Sequence, residues 1–176
     1  MPANVQKVPF GYEPPEERTR GTLIFYDSFE RITDEQLDRA ANTAELRSFS
    51  RLVLYLLHEE TWKRMSKEPV LAFHKREKKL IEWLEERGEE RIDVDRWEGK
   101  RKKYTPIDYA LRHLTETLPA PYFLYLTPEM ANAIASFSSF EEWIVKLRLI
   151  LAEMPEKPHP QLLKYRERWD LAEDKE

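Results

Sequence analysis

The chain contains no cysteine and only 4 glycines among its 176 residues. The first absence removes disulfides, a thiol nucleophile and cysteine-ligated metal centres, and it fits a reducing, cytoplasmic setting. The second bears on nucleotide binding, because phosphate-cradling loops need glycine for backbone amides to close on oxygen. Gly11, Gly21, Gly88 and Gly99 stand far apart, which speaks against a P-loop or a dinucleotide-binding fold. No apolar run approaches the roughly 18 residues of a membrane span, and MPANVQKVPFGYEPPEE lacks the hydrophobic centre of an export signal, so no membrane partner is expected. His58, His74, His113 and His159 form no HExxH and no i, i+4 pair, and no serine sits in a glycine-flanked nucleophile motif. These gaps predict no metal, no cofactor, no small-molecule substrate and no enzyme activity.

What is present is a charged but foldable composition, with 41% apolar and 35% charged residues and a net charge of -4. That length and balance predict one domain with a core of its own. Charge comes in blocks. Trp62 to Lys79 carries seven Lys or Arg against two Glu, Glu82 to Glu98 carries eight acids against three Arg, and Lys100 to Lys103 is basic throughout.

Residues 1 to 20, with Pro2, Pro9, Pro14 and Pro15, read as an extended arm. The globular part is expected over 21 to 154, followed by a proline-bounded short helix and charged tail over 155 to 176. Leu23 to Tyr26 is short, aromatic and glycine-bounded, which predicts a buried strand. Thr33 and Gln36 form a capping box, and the spacing of Leu46, Phe49, Leu52, Val53, Leu56 and Leu57 predicts a helix from Asp34 toward Met65. A second helix runs from Pro69 to Gly88, a C-terminal stop. RIDVDRW alternates as a strand and RKKYT can return, giving a β-hairpin over about 91 to 104. Thr105-Pro106 and Thr127-Pro128 start helices over 106 to 118 and 128 to 136, with a buried strand at 122 to 126 between them. Ser139 and Glu142 open a helix whose stripe includes Trp143, Leu147, Ile150 and Leu151. The expected fold is a mainly α, bundle-like single domain with that hairpin and two short buried strands.

Function is then sought in binding. The favoured expectation is a non-catalytic accessory or assembly protein, of the kind phage and mobile elements encode, with a protein partner or a second copy. Phe10, Tyr12, Tyr165 and Trp169 are its candidate anchors, since aromatic side chains bury large area at low entropic cost. The alternative is binding to DNA or RNA. Leu84 to Gly88, the following strand, and Gly99 to Thr105 resemble the helix, strand and basic wing of winged-helix proteins. That resemblance implies Lys75, Arg76, Lys78 and Lys79 facing DNA and Lys100, Arg101, Lys102 and Lys103 forming the wing. A remote third idea places Asp93, Asp95, Glu98 and Lys100 in a metal-dependent nuclease.

Overall fold

The computed structural model describes residues 21–174, so the arm over 1 to 20, with Phe10 and Tyr12, and the last two tail residues lie outside the described residues. Six parallel strands form one sheet: β1 (Thr22–Asp27), β2 (Arg51–Leu56), β3 (Ile92–Asp95), β4 (Tyr122–Leu126), β5 (Arg148–Leu151) and β6 (Trp169–Leu171). Their spatial order is β3-β2-β1-β4-β5-β6. Between them lie α1 (Asp34–Leu46), α2 (Glu59–Trp62), α3 (Phe73–Arg87), α4 (Trp97–Arg101), α5 (Ile107–Thr117), α6 (Pro128–Ala135), α7 (Phe140–Ile144) and α8 (Pro160–Lys164). This is an α/β protein and not the all-α bundle expected from the sequence.

The order follows from how the strands are dressed. Along β1, Leu23 and Phe25 pack on one face with Leu37, Ala40 and Ala41 of α1 and Leu80 and Trp83 of α3. Ile24 and Tyr26 point to the other face, against Ala110 and Leu114 of α5, Ala131 of α6 and Trp143 of α7. A central strand buried on both faces cannot show polar alternation, and parallel strands need helical crossovers to return to the same end of the sheet. The chain winds outward from β1 to β3, crosses through α5 to β4, and winds outward again to β6. The direction therefore reverses between β1 and β4, the arrangement of doubly wound sheets. Scarcity of glycine had argued against that topology, but the fold does not itself need a glycine-rich loop.

Three expectations about the elements are corrected. The predicted helix from Asp34 ends at Leu46, and Arg51–Leu56 is a strand paired in parallel with β1. Leu46, counted in the helical stripe, is 68% exposed, whereas Leu52 to Leu57 are all buried. The hairpin over 91 to 104 does not form. β3 pairs in parallel with β2, matching Leu52 with Ile92, and the chain then enters α4, so Lys100 to Lys103 lie at a helix end and the winged-helix resemblance loses its wing. The helix from Ser139 spans only Phe140–Ile144, and Leu149 to Leu151 are buried in β5. The two short buried strands expected at 23 to 26 and 122 to 126 are present as β1 and β4, adjacent at the centre of the sheet.

Local signals also act as expected. Thr33 Oγ1 accepts from Gln36 N while the Gln36 side chain accepts from Thr33 N, satisfying two orphan amides of α1. Gly88 closes α3 in the left-handed region at φ 66°. Thr127 caps α6 with Pro128 in its first turn.

Candidate functional site at the strand crossing

In open α/β sheets the carboxyl ends of the two strands flanking the reversal diverge, leaving a crevice between their following loops. Register pairs Phe25 with Tyr125, so Asp27 and Thr127 leave the sheet side by side. A cleft of about 500 Å³ opens there, lined among others by Asp27, Ser28, Trp62, Met65, Thr127 and Glu129.

The turn after β1 sets the position of Asp27. Phe29 N donates to Asp27 Oδ1 at 2.8 Å and Glu30 N donates to Ser28 Oγ at 3.2 Å, two side-chain-to-backbone bonds that fold the loop on itself. Phe29 adopts φ 64°, a left-handed conformation that is costly for a bulky residue. Its ring is buried and packs 4.8 Å from Phe25, and this burial offsets the backbone cost. Beneath the turn, Arg76 is 1% exposed and donates to the carbonyls of Ser28 (2.9 Å), Leu57 (2.6 Å) and Leu71 (2.8 Å), with Glu59 as counter-ion at 3.2 Å. One guanidinium thereby ties the carboxyl ends of β1 and β2 together. Burial lowers its pKa from the usual arginine value.

Asp27 is 6% exposed. Burial pushes its carboxyl up to about 6, against hydrogen bonds from Phe29 and Ser28 that favour the ionised form. The bonds from Phe29 N and Ser28 Oγ both fall on Oδ1, leaving Oδ2 as the acceptor open to an incoming donor. Around it the lining carries Glu30, Glu68 and Glu129 against one cation, Arg31, which is already paired with Glu68. Trp62 and Met65 supply an apolar wall, and the indole is oriented by donation to Glu68 O at 3.1 Å.

The same geometry disfavours an anion. Doubly wound dinucleotide sites place glycines after β1 and a phosphate on the next helix's free amides. Here the turn reads Asp27-Ser28-Phe29-Glu30, the Gln36 amide of α1 is taken by the capping box, and Asp34 and Glu35 add negative charge.

A second ionisable group is buried nearby. Glu98 is fully buried in α4 and accepts from Tyr55 Oη (2.6 Å), His58 N (2.8 Å) and Thr61 Oγ1 (2.8 Å), pinning α4 to the end of β2. Burial raises its pKa. Every carboxylate oxygen is used within the fold, so Glu98 is a strut of the site's wall.

Of the residues singled out from sequence, Lys75, Lys78 and Lys79 are exposed on α3, while Arg76 is the buried tie just described. Trp169 is fully buried and its Nε1 donates to Leu162 O; Tyr165 is half-buried with its ring 6.0 Å from Phe140. Asp93 is exposed and paired with Arg51, Asp95 engages His113 Nε2 at 2.9 Å, and Glu98 is committed as above. Among the described residues no group of three or more His, Cys, Asp or Glu is placed to hold a metal ion, and no helix is long and apolar enough to cross a membrane. Asp27 itself was missed; its only signal was an Asp-Ser pair between a strand and a capped helix, which has meaning only once the strand order is known. No protein-family model matches the chain, and no curated protein is significantly similar to it.

Proposed function

We propose that this chain is a non-catalytic binding protein whose strand-crossing cleft takes a small organic amine. The observation that carries the reading is Asp27: a buried carboxylate with one oxygen left open, at the position where doubly wound sheets hold their ligands. An ammonium group would ionise Asp27 and complete its hydrogen bonding. The acidic rim repels anions, and the face of Trp62 suits a cation or its methylene stem. Composition gave no hint of such a ligand, because the site consists of residues brought together from the ends of separate strands and helices.

Isothermal titration with a series of aliphatic mono-, di- and polyamines, beside a neutral polyol and an amino dicarboxylate, tests the reading. At least one amine is expected to bind, with affinity falling about tenfold from pH 7.5 to pH 5 as the ionised fraction of Asp27 falls. Absence of amine binding, or equal binding by Asp27→Asn, refutes it.

A second reading, assembly with a protein partner, is supported by a groove of about 240 Å³ between α1 and the second half of the sheet, lined in part by Leu46, Tyr125 and Ala152. Leu46 is the most exposed large apolar side chain among the described residues. Light scattering of the wild type and Leu46→Glu tests it: a dimer abolished by the substitution supports self-association, and a monomer in both removes that form of it.

A further inference from the structure

We infer that a recess between α4 and α5 is a binding site for single-stranded nucleic acid, separate from the amine cleft. It measures about 250 Å³ and is lined by Trp97, Arg101, Tyr109, Arg112, His113 and Glu116. Its inner wall is rigid. The indole of Trp97 stacks on the His113 ring at 4.1 Å and 9°, and Asp95 fixes the imidazole through Nε2 while accepting from Trp97 N at 2.9 Å. The Arg101 guanidinium lies over Trp97 at 5.1 Å and within 5.7 Å of the Tyr109 ring. Tyr109 is 49% exposed, so part of its phenol ring is open to solvent at the mouth.

Positive charge is concentrated in the sequence beside this mouth, at Lys100, Arg101, Lys102 and Lys103. Most of the described arginines have a carboxylate within ion-pair distance, as Arg51 has Asp93 and Arg87 has Asp38. Arg101 is half-buried, and its bonds go to Thr105 Oγ1 and the Tyr104 carbonyl. Among the described residues neither it nor the exposed Lys100, Lys102 and Lys103 takes part in a salt bridge that would neutralise it. Arg64 extends the cluster, lying 4.0 Å over Tyr104. Arg101, whose charge reaches the buried Glu98, and the neighbouring Lys100, Lys102 and Lys103 stand beside the half-exposed Tyr109, against a single acid, Glu116, in the recess lining. That pairing of cations with an aromatic ring matches what unpaired nucleotides offer: phosphates for the cations and base faces for the ring. Duplex bases are stacked on one another and cannot use Tyr109, so the site selects single strands. The basic run at 100 to 103 thus acts from the end of a short helix, beside the recess.

Fluorescence anisotropy with a labelled mixed-sequence oligonucleotide, its duplex, and a nucleoside monophosphate as competitor provides the test. The single strand is expected to bind more tightly than the duplex. With four phosphate contacts its affinity should fall about fifty-fold between about 50 and 200 mM salt. Lys100→Glu with Lys103→Glu leaves two contacts and should reduce that fall to about sevenfold. Tyr109→Ala should weaken binding about tenfold with the salt dependence unchanged. Because Tyr109 is half exposed, an unaltered far-ultraviolet spectrum is expected to accompany that loss. Equal binding of the duplex, wild-type affinity in Tyr109→Ala, or absence of binding at low salt overturns the proposal. So does displacement by the monophosphate as effective, per nucleotide, as by the unlabelled strand. Amine binding is unaffected by either variant if the two sites are separate.

Discussion

Replacing Asp27 with asparagine is expected to stabilise the protein at neutral pH. In the folded chain the carboxyl holds its proton to about pH 6, whereas the ordinary value is 3.8. Between those limits the unfolded chain has released a proton that the folded chain retains. Stability is therefore full below the unfolded pKa, declines as pH rises toward 6, and levels off above it. The gap of about two units corresponds to about 3 kcal/mol withheld from the fold at pH 7.5. Asparagine keeps an oxygen for Phe29 N and Ser28 Oγ, but its amide must be accommodated in a buried position at a cost of about 1 kcal/mol. The net gain is about 2 kcal/mol at pH 7.5, with little or none at pH 4. Urea unfolding of both proteins at the two pH values measures it, and the unfolding slope should be unchanged. A stability difference independent of pH, or a variant less stable at pH 7.5, refutes the account of Asp27. The same substitution should abolish amine binding, a trade of stability for function of the kind expected where a polar group is held against burial.

Arg76→Ala should cost about 3–5 kcal/mol, since it strips the donor from carbonyls at the ends of both β1 and β2 and removes the guanidinium facing Glu59; thermal melting reads the loss, and a shift under a degree contradicts the role. Glu98→Ala should cost a similar amount, because Tyr55 Oη and Thr61 Oγ1 lose their common acceptor, and proteolysis should then begin near α4. Two glycines with positive φ should respond differently. A Cβ on Gly21 would stand 2.1 Å from the Pro121 carbonyl oxygen, so Gly21→Ala should fail to accumulate as soluble protein, whereas Gly88→Ala meets nothing within 4 Å and should cost only about 1 kcal/mol in urea unfolding.

Local chemistry was legible in the sequence where it depends on neighbours alone. The Thr33 and Gln36 box, the Gly88 stop and the Thr127-Pro128 start all lie where their patterns place them. β2 and β5 were not legible as strands because they are buried on both faces. In LVLYLL every position is apolar, so residues chosen at helical spacing from Leu46 to Leu57 satisfy a helix as readily as a strand. The same ambiguity carried Leu147, Ile150 and Leu151 into a helix that ends before them. β3 alternates because it lies at an edge, and it was recognised as a strand; its neighbour, β2, lies some 40 residues earlier and could not be read from a turn signal. The cleft depends on that unread order, since Asp27 and Thr127 meet only when β1 and β4 are adjacent.

That adjacency also shapes how the chain is made. β1 finds one neighbour, β2, soon after it is synthesised, but the other is at residues 122–126. At about 5–20 residues per second, a ribosome takes several seconds to travel from Leu56 to Leu126. Throughout that interval a strand whose residues are all buried in the finished fold has a bare edge, able to recruit any extended segment in reach. Yield during rapid expression should therefore be governed by the timing of β4's arrival more than by the stability of the finished fold, and slower translation or a holdase chaperone should raise it.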